Sequence, residues 1–227
     1  KYKDFTGRVF AHPLRPIGIE ALKDLGVGVA ASTGKVEGSD TATALSQYRT
    51  SGQQAFFRYR AVSGSAPETV LADGSRNRIS PQLYYYYGPF GLLGEYVLSS
   101  QRVTLGDTSR VLQHQAWQAS GTYVIGGTAS YEGVKPDSSI GEGGIGAFEV
   151  SARYQGIRLD RDAFPTFADP NNSARDAHGI GVGAGWWANR AARFMLNFES
   201  TSFRGGAADG ADRASEKIVL ARSQISW

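Results

Sequence analysis

Two runs of alternating polarity meet at Gly88-Pro89 and set the pattern for the whole chain. Before the turn, Ile79, Pro81, Leu83, Tyr85 and Tyr87 share one face of a period-2 strand, and Arg76, Arg78, Ser80, Gln82, Tyr84 and Tyr86 share the other. After it, Phe90, Leu92, Tyr96 and Leu98 alternate with Glu95, Ser99 and Gln101. The same alternation recurs, bounded by Gly, Pro, Asn and Asp clusters, and predicts ten strands. The first, about 4–12, turns Phe5, Val9 and Ala11 one way and Arg8 and Phe10 the other. The second covers about 25–33, and the third, about 53–62, sets Ala55, Phe57 and Tyr59 against Gln54, Arg58 and Arg60. The hairpin supplies the fourth and fifth. The sixth, about 111–125, opposes Trp117, Ala119, Tyr123 and Ile125 to His114, Gln118, Ser120 and Thr122. The seventh, about 145–157, opposes Phe148, Val150, Ala152 and Tyr154 to Glu149, Ser151, Arg153 and Gln155. The last three carry Ile180, Val182, Ala184 and Trp186, then Phe194, Leu196 and Phe198, then Val219, Ala221, Ile225 and Trp227 on the apolar side.

A soluble sandwich also alternates, but it does not usually keep charge on the second face of nearly every strand with Tyr, Trp and Phe on the first. A transmembrane barrel does, because its outer face meets hydrocarbon and its lumen holds water. No apolar run is long enough for a membrane-spanning helix, whereas a barrel strand needs only about 9–11 residues with one apolar face. The expected fold is therefore all-β, an antiparallel transmembrane β-barrel forming a single domain over 1–227. The 227 residues include 29 Gly, one Met and no Cys, which excludes a disulfide scaffold or a thiolate metal site. The net charge of +3 is dispersed, so no basic tract suits nucleic acid.

The connectors divide the strand ends. Gly88-Pro89 and Ala188-Asn189-Arg190-Ala191 are tight turns, while about 159–177 and 204–214 are long and polar. With the C-terminus periplasmic, 63–75, 159–177 and 204–214 become extracellular. Ten strands also send the long connectors 34–52 and 126–144 to the periplasmic side; either these fold into the lumen or a strand near the beginning is missed or added. Residues 19–25 suggest a short helix.

Tyr48-Arg-Thr-Ser-Gly-Gln-Gln54, Tyr84-Tyr-Tyr-Tyr-Gly-Pro-Phe-Gly91, Tyr131-Glu-Gly-Val-Lys-Pro136, Gly146-Ala-Phe-Glu-Val150 with Ala152-Arg-Tyr154, and the terminal Trp227 follow one another in an order that resembles the phosphate-selective porins O and P of Gram-negative outer membranes. The resemblance implies a sixteen-stranded homotrimeric porin for phosphate or polyphosphate, in contact with outer-membrane lipid and lipopolysaccharide. It also implies an inward-folded constriction loop in the first half of the barrel. Because about ten strands are seen, this chain reads as the C-terminal part of such a barrel, without the constriction.

By alternation Arg8, Arg58, Arg60, Arg76, Arg78, Arg153, Arg193 and Arg222 face the lumen, against Glu95, Glu149, Glu199 and Glu216. Such an excess favours phosphate-like anions, which guanidinium groups can grip bidentately. Arg58, Arg60, Arg76 and Arg78 are expected to form part of an arginine ladder, with Arg49 reaching in from the adjoining connector. Each could instead pair with a luminal Glu. Asp160, Asp162, Asp176 and His178 echo the rim groups of barrel proteases, but parity sets Asp160, Asp162 and His178 with lipid-facing residues, so no enzyme is expected. His12 and His114 have no HExxH or Cys partner, so neither a metal nor a cofactor is indicated. A structural or partner-binding barrel is the remaining alternative.

Overall fold

The computed structural model describes residues 3–62 and 66–226. Trp227 and part of the connector at 63–75 lie outside them. Nine strands make one antiparallel sheet: β1 (Asp4–Ala11), β2 (Gly26–Glu37), β5 (Leu71–Tyr87), β6 (Phe90–Leu105), β7 (Thr108–Ile125), β10 (Ala147–Arg158), β11 (Ala174–Trp187), β12 (Ala192–Gly205) and β13 (Glu216–Ile225), hydrogen-bonded in that order. Two short ribbons lie outside it, β3 (Tyr48–Arg49) with β4 (Ala55–Phe57) and β8 (Gly127–Ser130) with β9 (Gly133–Pro136). The all-β antiparallel expectation holds. Among the described residues β1 and β13 are the sheet's two edges.

Every strand neighbours the next wall strand in sequence, so alternation carries straight through the register. Val150 opposes Tyr123 on one side and Ala184 on the other, and Val182 lies between Ala152 and Phe198. The resulting outward face is apolar and open: Phe5 is 73% exposed, Ile180 62% and Val219 66%. So large an apolar surface is tolerable in a bilayer and not in water. The strands of 17, 16 and 18 residues in the β5–β6–β7 meander exceed the roughly 9–11 that a crossing takes, so they project beyond the hydrocarbon. Their tight turns use Gly88 and Gly106 at φ +55° and +54°, which glycine adopts without steric cost.

The third expected strand is absent from the wall. β2 pairs directly with β5, from Gly26 opposite Tyr84 to Glu37 opposite Asp73. Residues 53–62 belong instead to the long connector between them, which folds onto the inward face. Phe56 and Phe57 there join Val70, Val103, Leu112, Leu159, Phe167 and Phe203 in the larger buried cluster. Period-2 polarity in 53–62 reflects burial against the inside of the wall, not membership of it. Removing this strand reverses the parity of everything before it. The connector at 38–70 then shares an end with 159–173 and 206–215, while 12–25 joins 126–146 at the C-terminal end.

Residues 126–146 also fold inward. Tyr131 stacks on Tyr84 at 4.7 Å, and Val134 packs with Val124, Ala147 and Trp187. The expected short helix at 19–25 is a single 3-10 turn, Glu20–Leu22, preceded by another at Arg15–Ile17.

Candidate permeation pathway

The inward face is polar at mid-height. The register brings Gln82, Glu95, Gln118 and Gln155 into one row across β5, β6, β7 and β10, with Gly179 and Thr201 continuing it on β11 and β12. Glu95 Oε1 accepts from Ser80 Oγ (2.8 Å) and Gln82 Nε2 (2.9 Å), and its Oε2 accepts from Gln118 Nε2 (3.0 Å). Glu199, almost fully buried, accepts from Ser51 Oγ (2.8 Å), Gln155 Nε2 (3.0 Å) and Arg153 (2.6 Å). The Ser51 bond ties the tip of the inward connector to the wall.

The rest of that connector is held from three sides. His114, on β7, accepts the Asp160 backbone N–H at Nδ1 (3.0 Å), so its ring proton lies on Nε2, facing the Tyr59 hydroxyl at 2.8 Å. The Arg58 backbone N–H donates to Ser173 Oγ, which donates back to the Arg58 carbonyl. Arg213 donates to the Ala55 carbonyl (2.9 Å). Burial raises the phenol pKa of Tyr48 and, further, that of Tyr59. Residues 34–52 therefore fold against the inward face, one of the two outcomes that their length left open, and the other holds as well, since 53–62 is not a wall strand. The connector's apolar residues alternate as a wall strand's do, so its position cannot be read from the sequence.

The expected arginines divide into separate groups. Arg58 and Arg60 are on the connector, not the wall; Arg58 is exposed, and Arg60 forks onto the Pro165 carbonyl with bonds of 3.1 and 2.8 Å. Arg76 pairs with Asp4 at 2.5 Å, and Arg78 lines a small gap with Tyr48, Tyr59 and His114. Arg49 stands at a different cavity, under the connector tip. The five thus stand at three places rather than on one ladder. Arg8 donates to Gln82 (2.8 Å), Arg153 pairs with Glu199, and Arg193 donates twice to Gln224 while lying 4.6 Å from the Trp187 ring centroid. Arg222 is exposed on β13 opposite Met195. With Arg58 and Arg60 off the wall, and Asp4 facing inward beside Arg76, the wall's cationic excess shrinks and part of it moves to the connector.

This arrangement is a sheet with one polar face, against which a connector folds, and one apolar face. The family model for phosphate-selective porin O and P matches residues 16–227. The chain belongs to the phosphate-selective porin O and P family. Membership places this porin in the bacterial outer membrane. Among solved structures it is similar to OmpTdeltaL8, a loop L8 deletion mutant of OmpT, an outer membrane protein of Vibrio cholerae. That likeness has a TM-score of 0.44 and 13% identity over 90% of this chain and 50% of the other, so the chain spans about half that protein's length. No curated protein matches.

The Glu95–Gln118–Gln155 row and the role of His114 went unread in the sequence. The available signal was the run of amide and carboxylate side chains at the middle, rather than the ends, of successive polar faces. Among the described residues no three His, Cys, Asp or Glu side chains converge on a metal site.

Proposed function

We propose that this chain forms one side of a water-filled porin that passes small anions of the phosphate type, as the C-terminal part of a longer barrel. The observation that carries the reading is the two-faced wall with a connector folded against its polar side. Unpaired strand edges are costly in hydrocarbon, several kcal/mol for each unsatisfied backbone group, so β1 and β13 need further strands beside them. Assembly as a homotrimer and contact with lipopolysaccharide belong to the same proposal.

Anion preference is supported by Arg8, Arg49, Arg58, Arg60, Arg193 and Arg222, none of which makes an ion pair among the described residues. Guanidinium suits phosphate oxygens geometrically and attracts anions without trapping them when the sites are separate. The reading is non-enzymatic. Asp160, a candidate rim acid, has its carboxylate committed to the backbone N–H groups of Gln113 and Asp162. His178 sits instead on the outward face beside Tyr154.

The test is the reversal potential of the reconstituted full-length protein across a salt gradient. Replacing Arg49, Arg58 and Arg60 together with Gln should move it toward cation selectivity. An unchanged potential would remove the connector arginines from the pathway.

A further inference from the structure

Under the tip of the inward connector lies a cavity of about 420 Å³ between residues 48–56 and the mid-height row of the wall. That is the size range of small-molecule sites. Three ionised side chains line it, Arg49, Glu95 and Glu199, and their surroundings differ.

Glu199 is compensated by Arg153 at 2.6 Å. Glu95 makes no ion pair among the described residues: its hydrogen-bond partners Ser80, Gln82 and Gln118 are all neutral, and the nearby Arg8, whose charge reaches it only through space, donates to Gln82. Arg49 is likewise held by neutral acceptors only. Its guanidinium donates to the Gln53 carbonyl at 2.8 Å and, with the Gln47 amide turned oxygen-first, to that oxygen at 2.6 and 3.2 Å. Neutral hydrogen bonds satisfy lone pairs and N–H groups without cancelling charge. Among the described residues the cavity therefore holds one positive and one negative group that are not in an ion pair.

The amides add direction. Gln118 and Gln155 aim their Nε2 atoms at Glu95 and Glu199, and neither amide oxygen accepts a side-chain hydrogen bond among the described residues. Tyr48, Phe56 and Val97 supply an apolar side.

We propose that this cavity is a transient subsite for small zwitterions of the α-amino acid type. The ammonium meets Glu95 and the amide oxygens, the carboxylate meets Arg49, and the side chain lies against the apolar side. A simple anion gains Arg49 but meets Glu95, and a simple cation meets the reverse, so only a solute bearing both charges is favoured at both ends. The inference rests on the porin reading and extends it beyond phosphate-like anions.

The experiment records ionic current through the reconstituted full-length protein with L-leucine as probe. The controls are 4-methylpentanoate, which lacks the ammonium, and isopentylamine, which lacks the carboxylate. L-leucine should reduce the open-channel current saturably, at concentrations about tenfold below either analogue. Glu95→Gln and Arg49→Gln, one on the wall and one on the connector, should each erase that advantage while retaining the heat-modifiable migration of a folded barrel. If L-leucine blocks no better than its analogues, or if either folded variant keeps the wild-type advantage, the subsite is refuted and the porin reading stands. Absence of any current overturns both, so the two failures are distinct.

Discussion

Phe57→Ala separates anchoring of the inward connector from stability of the wall. Phe57 is fully buried, and its ring lies 5.0 Å from Tyr59, 5.6 Å from His114, 5.7 Å from Tyr48 and 5.9 Å from Phe164, centroid to centroid. Truncating a buried Phe costs about 3–5 kcal/mol, from lost transfer energy and the cavity left behind. None of the nine wall strands uses Phe57 in its hydrogen-bond ladder, since its only register partner is Tyr48. The loss therefore falls on docking of the connector. At about 1.4 kcal/mol per factor of ten, even 3 kcal/mol shifts the docked-to-undocked ratio by roughly a hundredfold. Phe56 on Phe203 and the Ser51–Glu199 bond remain, so the expected state is a loosened connector rather than an unfolded barrel. In bilayers the variant should give larger and noisier unitary currents, and protease should cut within 38–62 while the wall stays intact. A folded Phe57→Ala protein with wild-type conductance and protease resistance would refute the view that this cluster holds the obstruction in place.

Two further predictions address the connector's hydrogen bond and the outer face. Burial holds the Tyr59 phenol above its ordinary value of 10.0, so the stability it contributes is present below about pH 10 and is lost as pH rises, because only the unfolded chain ionises there. Urea unfolding of the wild type should therefore weaken more steeply above about pH 10 than that of Tyr59→Phe, and parallel curves would count against the burial. Val182→Arg, on the lipid-facing side of β11, should cost about 2–4 kcal/mol of folding free energy in vesicles, whereas Ser151→Arg on the lumen side should cost much less. Equal costs would mean that the two faces are wrongly assigned.

The sequence carried the wall with few errors because a strand with lipid on one side and water on the other must alternate at every step. Phe148, Val150, Ala152 and Tyr154 could be placed outward, and Glu149, Ser151, Arg153 and Gln155 inward, from spacing alone, and the register keeps them there. The same rule misplaced residues 53–62. Phe57 and Tyr59 alternate with Arg58 and Arg60 because one side of that extended segment is buried, but the pattern is identical whether the burial is by lipid or by the inside of the wall.

The partners that distinguish the two cases are remote in sequence. The Arg60 backbone N–H donates to the Phe167 carbonyl, and Tyr59 meets His114. The site follows the same division. That Arg49 and Glu95 are charged and polar-facing was evident from the sequence, but their placement in one cavity was not. Alternation determines which way a side chain points, since successive Cβ atoms must leave opposite faces of an extended chain. Only the tertiary structure decided what it points at, because a connector's docking depends on contacts among residues more than fifty positions apart.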